Sequence, residues 1–352
     1  MSASVDVVVV GGGPVGLATA IEARMAGLSV TLIESRTGVI DKACGEGLMP
    51  GAVPLLERLG VDPDGMPLRG VTYTDGTRSV THRFRTGAGR GVRRTTLHAA
   101  LAARAETLGA TRVTGKVDGF EQDATGVEVS VAGMSPVRAS WLLAADGLHS
   151  TVRRLAGLER PVRGPRRFGL RRHYAIEPWS EFIEVHWARA AEVYITPVSP
   201  QLVGVAVLGP QRTDFDATIA GVPKLAGRPG LAARLAGAEP ASELRGAGPF
   251  RQRAASPVSG RVLLVGDASG YVDAITGEGL RLGFDQARAA VACIVDERPA
   301  DYARAWREVT RDFRVLTAGL VRAASSPLRH GIVPTARALP WLYGAVVERL
   351  AK

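Results

Sequence analysis

Three glycines near the start of the chain have a spacing that suits dinucleotide binding. Gly11, Gly13 and Gly16 follow the pattern G-x-G-x-x-G, and Glu34 lies about twenty residues further on. In this pattern one glycine forms a tight turn, one lets a pyrophosphate approach the bare backbone, and one lets a helix pack closely on a strand. A carboxylate at the position of Glu34 can accept a hydrogen bond from a ribose hydroxyl. These residues predict a dinucleotide site; the alternative is a glycine-rich turn in an ordinary α/β sheet.

The segments around these glycines have the pattern of a β-α-β unit. The apolar, β-branched run 5–10 predicts a strand buried on both faces, and residues 15–25 predict the helix that follows it. A second apolar run, 29–33, predicts the neighbouring strand. Pro14 and Val15 then stand at the amino terminus of the helix, where free N–H groups and the helix dipole favour a phosphate.

A second turn with an acidic residue occurs much later in the chain. Residues 261–265 predict another buried strand, and Gly266 and Asp267 follow it directly. Ligands of open α/β sheets bind at the carboxyl ends of strands, so Asp267 is placed to accept a hydrogen bond from a sugar or polyol hydroxyl. The alternative is that Asp267 caps a helix. Gly277 and Gly279 precede a long predicted helix, and their uncovered N–H groups suit an anion that forms during a reaction.

Composition excludes several classes of protein. The 352 residues carry a net charge of +10, mostly from dispersed arginines, with no nucleic-acid motif. This charge favours an anionic substrate, NAD(P)H or a membrane surface as partner, although a coding bias would also enrich arginine. Two cysteines, Cys44 and Cys293, cannot supply a disulfide framework or an iron–sulfur cluster, and six scattered histidines have no metal-ligand spacing. We expect no metal, no spanning helix and a cytoplasmic location.

The pattern along the chain predicts two domains, the second inserted into the first. We assign residues 1–70, 92–165 and 254–352 to a discontinuous dinucleotide-binding domain, because these ranges contain the buried strands and the long helices. Residues 71–91 and 166–253 read mainly as antiparallel strands and are assigned to a substrate-binding domain.

Several local patterns refine this assignment. Asp75-Gly76 between two alternating runs predicts a hairpin, and residues 217–226 and 231–235 predict short helices in the inserted region. The carboxyl-terminal part is predicted to consist of helices at 279–295, 300–324 and 337–350.

Three motifs in order resemble the fingerprints of the para-hydroxybenzoate hydroxylase-like FAD enzymes. They are the Gly11–Gly16 pattern with Glu34, the segment Ala145-Asp146-Gly147 followed by Ser150 and Arg153, and Gly266-Asp267. The resemblance spans most of residues 5–295. It implies a glutathione reductase-type, Rossmann-like FAD domain that holds FAD in an extended pose. The cofactor-binding residues it implies are Gly11, Gly13, Pro14, Val15, Gly16, Glu34, Ser35, Arg36, Arg94, Asp146, Gly266, Asp267 and Gly277, with Arg93 as the alternative to Arg94.

Two further segments resemble one branch of this superfamily, the geranylgeranyl reductase-like flavoproteins. Residues 42–50 match K-x-C-G-x-G-L-x-P, and Gly266–Gly270 with Thr276–Gly279 match G-D-A-x-G and T-G-E-G. The resemblance implies that four residues, which we take as candidate catalytic residues as well as cofactor ligands, lie beside the isoalloxazine ring: Cys44, Gly45, Gly279 and Leu280. From its residue type alone, Cys44 could equally be an inert small residue of the loop.

The single dinucleotide module limits the possible reactions. A module that holds FAD leaves NAD(P)H as a transient reductant, which favours a monooxygenase that hydroxylates a small hydrophobic or phenolic, natural-product-type substrate with O2. The alternative is reduction of isoprenoid C=C bonds. A flavin halogenase is less favoured because W-x-W-x-I-P is missing, and an electron-transfer partner is disfavoured by the lack of iron–sulfur cysteines. The remaining expectations are no nucleic acid and a monomer or homodimer. The carboxyl-terminal helices are expected to pack over the FAD domain, and the alternative is peripheral contact with a membrane if the substrate is a lipid.

Overall fold

A computed structural model of the protein describes residues 4–224 and 229–352. Its strands are β1 (Val5–Val10), β2 (Val30–Glu34), β3 (Gly47–Leu48), β4 (Met66–Leu68), β5 (Gly70–Thr74), β6 (Ser79–Arg83), β7 (Gly89–Gly91), β8 (Thr111–Thr114), β9 (Val117–Gln122), β10 (Val127–Val131), β11 (Val137–Ala144), β12 (Arg167–Ala175), β13 (Ile183–Trp187), β14 (Glu192–Ser199), β15 (Leu202–Pro210), β16 (Glu239–Pro240), β17 (Arg245–Ala247), β18 (Gln252–Arg253), β19 (Val258–Ser259), β20 (Val262–Leu264) and β21 (Gly270–Tyr271). Its α-helices are α1 (Pro14–Met25), α2 (Val53–Arg58), α3 (Arg94–Thr107), α4 (Thr151–Leu155), α5 (Phe215–Ala220), α6 (Leu231–Arg234), α7 (Gly279–Val295), α8 (Tyr302–Ala324), α9 (Ile332–Ala338) and α10 (Pro340–Ala351).

The first sheet has the strand order β19-β20-β11-β1-β2-β8, in which the strands from β20 to β8 run parallel and β19 pairs antiparallel with β20. Strands β10 and β9 extend the sheet antiparallel from β11. Alternation along β1 explains its two covered faces. Val7 and Val9 pack with α1, α3 and α7, whereas Val8 and Val10 pack with β9, β10 and the apolar side of α4. This is why the run 5–10 is apolar throughout rather than alternating with polar residues.

All parallel strands end at one edge, and the motifs therefore meet there. Gly11 follows β1, Glu34 ends β2, Ala145-Asp146 follows β11, and Gly266-Asp267 follows β20 by one residue. β1 pairs with both β2 and β11, and β11 pairs with β20. Three segments far apart in sequence are thus brought to neighbouring strand ends.

The second sheet has the order β16-β12-β15-β14-β13-β5-β6, with β17 on β12, and is antiparallel except where β5 runs parallel to β13. Its two faces differ. Val193 and Ile195 pack under α5 and α6, whereas Tyr194 and Thr196, on the opposite face of β14, line a cavity. The hairpin predicted at Asp75-Gly76 is present as β5–β6. The domain limits stay a prediction, although 71–91 and 166–253 both contribute strands to this sheet.

Two expectations about elements were wrong. The helix predicted at 337–350 is two helices, α9 and α10, because Pro340 has no N–H to donate and the backbone of Leu339 leaves helical geometry (φ −124°, ψ 65°). The helix predicted at 217–226 ends at Ala220, where Gly221 follows. The end of that predicted range, 225–226, lies outside the described residues. The small sheet β3-β7-β4 was not predicted, since two- and three-residue strands have no measurable periodicity.

Candidate active site

A cavity of about 440 Å³ lies between the carboxyl edge of the first sheet and the inner face of the second. This volume is in the range of small-molecule and cofactor sites. Most of the residues predicted to bind the cofactor or to act in catalysis line it, namely Gly11, Gly13, Pro14, Val15, Glu34, Ser35, Arg36, Cys44, Gly45, Arg94, Asp146, Asp267, Gly277, Gly279 and Leu280. Gly16 and Gly266 do not line this cavity.

Gly16 and Gly266 shape the turns behind the cavity wall instead. A Cβ on Gly16 would lie 1.7 Å from the carbonyl oxygen of Gly11, so only glycine lets α1 pack against the turn. Gly266 has a φ of +61°, and its N–H donates to Oε1 of Gln286 at 2.8 Å. Gly13 differs from both, because within 4 Å of the position of its missing Cβ the described residues place one atom, a guanidinium nitrogen of Arg94 at 3.7 Å.

Glu34 is a buried carboxylate that holds the glycine turn. Its Oε2 accepts the Gly12 N–H at 2.8 Å, and its Oε1 accepts from Ser35 Oγ, from Arg36 N and from Arg36 Nε at 3.0–3.1 Å. Burial alone would raise the pKa of Glu34, but the bonds from Gly12 and Arg36 lower it below its usual value. The carboxylate is therefore ionised, and Oε2 keeps a lone pair for a ligand hydroxyl.

The start of α3 explains which of two adjacent arginines faces the cavity. Oε1 of Glu46 accepts the backbone N–H of Arg94 at 2.8 Å and lies 3.9 Å from Nε of Arg93. Glu46 thus supplies the negative charge that the helix amino terminus favours, and it engages Arg93. Arg94 lines the cavity, and its Nε is buried without a hydrogen-bond partner among the described residues. A buried cationic group of this kind fits an anionic ligand.

Arg153 joins the two remaining motifs. Its side chain is fully buried and donates to the carbonyl oxygens of Leu148 at 2.9 Å and Ala268 at 3.0 Å. The turn after β11 is thereby fixed to the turn after β20. Oδ2 of Asp146 accepts the Val152 N–H at 3.1 Å, while Oδ1 is buried without a partner among residues 4–224 and 229–352. Burial raises the pKa of Asp146. The unpartnered Oδ1 is the oxygen that a ligand can reach.

Lys42 is a cavity residue that the sequence reasoning did not assign. It lines the cavity with Cys44 and Asp267. Burial lowers the pKa of Lys42, although the negative charge of Asp267 partly opposes this shift. Burial raises the pKa of Asp267, although the positive charge of Lys42 partly opposes that shift. Such opposed shifts of two buried groups are common at functional sites. The available signal was the position of Lys42 two residues before Cys44 in the segment 42–50.

A buried cluster behind the cavity was also missed. Nε2 of His173 lies 2.5 Å from Oε2 of Glu46, and its Nδ1 lies 3.1 Å from Nη1 of Arg171 and 2.8 Å from Oγ of Ser242. Because an arginine only donates, Nδ1 accepts, and Nε2 carries the hydrogen that is donated to Glu46. Arg171 also pairs with Asp41. Residues on β12 therefore hold both ends of the loop 41–47, which carries Cys44.

We expect His173→Ala to loosen this loop. The change leaves Oε2 of Glu46 without its buried donor and removes one of the acceptors of Arg171, so the free energy of unfolding should fall by about 2–4 kcal/mol. Iodoacetamide should then label Cys44 faster in the native variant, as measured by peptide mass spectrometry. Cys293 serves as the internal reference, and exposed His330→Ala is the control with wild-type labelling. Equal labelling of Cys44 in wild type and His173→Ala would contradict the proposed role of His173.

Glu278, the residue before α7, predicts a pH dependence of stability. Its Oε2 pairs with Arg281 at 2.8 Å, and Oε1 is buried without a partner in the described part of the chain. Burial, only partly offset by Arg281, raises the pKa of Glu278 to about 7. The folded protein therefore retains a proton that the unfolded chain releases, and stability should fall by about 3 kcal/mol as pH rises from roughly 4.5 to 7.

Glu278→Gln removes this titration, so its free energy of unfolding should vary less than that of wild type across this pH range. Urea denaturation at several pH values measures the difference. A matched control is Glu57→Gln on α2, where the carboxylate is exposed and the slope should be that of wild type. An unchanged slope in Glu278→Gln would contradict the assignment.

The far end of the cavity is apolar. Side chains of the second sheet, of the segment after β17 and of α10 form this end, and they include Val71, Tyr73, Ile183, Val185, Leu208, Phe250, Val347 and Leu350. The hydroxyl of Tyr194 donates to the carbonyl oxygen of Ile275 at 2.8 Å, and burial raises its pKa well above the usual value, so this phenol stays neutral. This end can hold an apolar or aromatic molecule away from water.

The residues at the other end fit FAD. The amino termini of α1 and α7 both contribute to the wall, and no side-chain cap covers either among the described residues. A Cβ on Gly45 or Gly277 would meet nothing within 4 Å, so a flat ligand can approach this backbone. The unpartnered atoms of Arg94 and Asp146 offer a cation and an acceptor. Phosphates, hydroxyls and a planar ring system therefore all find suitable groups.

Comparison with known proteins identifies the family. The profile of a family described as FAD binding domain matches residues 4–295. The chain belongs to this family of flavoproteins. The flavoprotein is also similar to the menaquinone reductase of Mycobacterium tuberculosis, with 30% identity over 338 residues that cover 88% of this chain and 80% of the relative. The 6-methylpretetramide 4-monooxygenase of Streptomyces rimosus is 38% identical over 176 residues, which are 44% of this chain and 41% of that enzyme.

Solved structures share the fold of this flavoprotein. The anhydrotetracycline hydroxylase from Streptomyces rimosus superposes with a TM-score of 0.71 and 25% identity, covering 99% of this chain and 76% of that one. A flavin-dependent brominase superposes with a TM-score of 0.79 and 21% identity, covering 99% and 94%. The predicted fold class, the cofactor FAD and the assignment as an FAD-dependent oxidoreductase are confirmed. The individual FAD contacts stay predictions.

Proposed function

We propose that this flavoprotein is a monooxygenase that hydroxylates a small hydrophobic or phenolic, natural-product-type substrate. The observation that carries the proposal is that one cavity joins the residues of the FAD motifs to the apolar end described above, which we call the apolar chamber. The balanced reaction takes substrate, O2, NAD(P)H and a proton to hydroxylated substrate, water and NAD(P)+. When bound, FAD supplies the two-electron chemistry that links NAD(P)H to O2.

Residues of the chain have separate tasks in this proposal. The turn at Gly13 and the side chains of Arg94 and Glu34 hold the cofactor's phosphate and ribose groups. The start of α7 at Gly279 stabilises negative charge on the reduced cofactor through its free N–H groups. The apolar chamber orients the substrate and excludes water. The similarity to the tetracycline-pathway enzymes supports this type of substrate, although the chain spans less than half of the 6-methylpretetramide 4-monooxygenase.

The second candidate is a reductase of isoprenoid C=C bonds, of the geranylgeranyl reductase-like branch. Two observations favour it. Cys44 and Gly45, from the segment that resembles this branch, line the cavity, and the menaquinone reductase matches over most of its length. A halogenase is supported only by similarity of fold, since the brominase is 21% identical. A cytoplasmic location and a monomeric or homodimeric state stay predictions.

Two assays on the purified protein separate these candidates. Under air, a phenolic or polycyclic aromatic substrate should accelerate NAD(P)H oxidation with matching O2 consumption and a product heavier by one oxygen atom. Without O2, dithionite-reduced enzyme should leave a polyprenyl chain unsaturated. Saturation of that chain with no hydroxylation under air would refute the monooxygenase and support the reductase.

A variant of the chamber tests whether the substrate binds there. Ala206→Leu on β15 fills the apolar end, so KM for the substrate should rise about tenfold or more while FAD content is unchanged. The matched control is Ala345→Leu on the exposed side of α10. An unchanged KM in Ala206→Leu would place the substrate elsewhere.

A further inference from the structure

The corner between α9 and α10 exposes an uninterrupted apolar segment. All residues from Arg337 to Leu342 are exposed, and the last five of these six are apolar. Trp341 is 68% exposed, Leu342 40% and Leu339 39%. Runs of exposed apolar residues of this length are uncommon on soluble proteins and mark surfaces that bind something.

The geometry of the corner explains this exposure. The non-helical backbone of Leu339 and the start of α10 at Pro340 turn the chain sharply, so the first turn of α10 projects outwards. Later residues of the same helix face inwards. The hydroxyl of Tyr343 donates to the carbonyl oxygen of Val71 at 3.1 Å, and Val347 lines the cavity. The exposed turn is thus anchored on a helix that forms part of the cavity wall.

The charged side chains in the sequence segment on either side of the corner are all positive. Between Phe313 and Val347 the sequence contains four arginines and no carboxylate side chain. Two of the four are engaged within the protein, because Arg329 is buried against Glu192 and Arg314 stacks on Trp306. The other two, Arg322 and Arg337, are exposed. An exposed apolar turn that begins at an exposed arginine, in a segment without carboxylates, complements an anionic surface.

We propose that the segment Arg337–Leu342, which we call the docking turn, binds the surface of an anionic lipid bilayer. Tryptophan is favoured at the boundary between headgroups and acyl chains, and leucines beside it can enter the apolar region. None of the helices within 4–224 and 229–352 is both long and apolar enough to cross a membrane, so this contact is peripheral.

A bilayer fits this turn better than a second copy of the chain. A twofold interface centred on Trp341 would place Arg337 near its own symmetry mate, with no carboxylate in the surrounding segment to neutralise the pair. An anionic surface pairs with the same arginines favourably. Docking would also bring the lipid surface to the helix that contributes Val347 and Leu350 to the cavity. The proposal does not depend on which reaction the cavity performs.

The test uses the full-length flavoprotein and vesicles. Wild type should cosediment with vesicles of equal parts phosphatidylglycerol and phosphatidylcholine, and much less with phosphatidylcholine alone. The double variant Trp341→Ser, Leu342→Ser should partition at least about tenfold less, and Arg337→Glu should weaken binding to the anionic vesicles. The matched control, Met134→Ser with Val162→Ser, removes two exposed apolar side chains elsewhere and should bind as wild type.

Two further readouts make the outcome decisive. Brominated phosphatidylglycerol should quench tryptophan fluorescence in wild type, and this quenching should be lost in the double variant. Light scattering after size-exclusion chromatography should give the same mass for both. Wild type that ignores anionic vesicles overturns the proposal. A dimer that the double variant dissociates also overturns it, because the turn would then bind a second copy.

Discussion

Gly16→Ala is expected to abolish FAD binding. The new Cβ would lie 1.7 Å from the carbonyl oxygen of Gly11, a backbone atom that cannot move without opening the turn. The turn at Gly11 is itself held, because the Gly11 N–H donates to the carbonyl oxygen of Ile33 at 2.8 Å. We expect the free energy of unfolding to fall by on the order of 3–5 kcal/mol. The checks are the flavin absorbance of the purified protein and its urea denaturation.

Two glycine variants serve as controls. Gly319→Ala lies within α8, where a Cβ would meet nothing within 4 Å, and it should keep full FAD content with equal or slightly higher stability. Gly13→Ala has room within the protein but places a methyl group where the phosphates are expected. It should fold normally and bind FAD at least about tenfold more weakly. Wild-type FAD content in Gly16→Ala would show that the glycine turn is misassigned.

Glu34→Ala is expected to weaken FAD binding roughly 10- to 100-fold, which corresponds to about 1.4–2.8 kcal/mol. The change removes the carboxylate that accepts the Gly12 N–H and the Arg36 side chain, and it removes the free lone pair on Oε2. The measurement is titration of the apoprotein with FAD, followed by quenching of flavin fluorescence.

The contribution of the shape of the Glu34 side chain to FAD affinity can be separated from the contribution of its charge. Glu34→Gln keeps an acceptor but loses the charge-assisted bonds, so its FAD affinity should lie between those of wild type and Glu34→Ala. Exposed Glu57→Ala on α2 controls for the loss of one negative charge and should bind FAD normally. If Glu34→Ala retains FAD as well as wild type, a different group holds the ribose.

Local sequence patterns were sufficient to predict the helices and strands that carry the cofactor motifs. The strand β1 and the helix α7 lie where the apolar runs and glycines place them, because strongly periodic or wholly buried segments leave little choice of conformation. Strands β1, β11 and β20 pair in parallel, so their carboxyl ends lie at the same edge of the sheet. The three motifs that follow these strands are therefore brought together at that edge. The meeting of these motifs at the edge of the cavity could therefore be predicted, whereas the individual FAD contacts stay predictions.

Contacts between distant segments could not be predicted in this way. Nothing local in the sequence joins Glu46 to His173 across 127 positions. The choice between Arg93 and Arg94 was likewise open, since both flank the start of α3. In the structure Arg94 is the arginine that lines the cavity. Glu46 accepts the backbone N–H of Arg94 at the start of the helix and pairs with the side chain of Arg93.

The amino-acid sequence alone was enough to predict an FAD-type β-α-β unit, a mainly antiparallel second sheet and a set of motifs that meet at one cavity, because these depend on periodicity, glycine geometry and strand direction. Three features emerged only from the folded structure: the way in which the loop 41–47 is held, the presence of Lys42 and Asp267 in the same cavity, and the placement of Trp341 outwards on α10 while Val347 lines the cavity. These features depend on packing between elements remote in sequence, and such packing leaves no periodic signal along the chain.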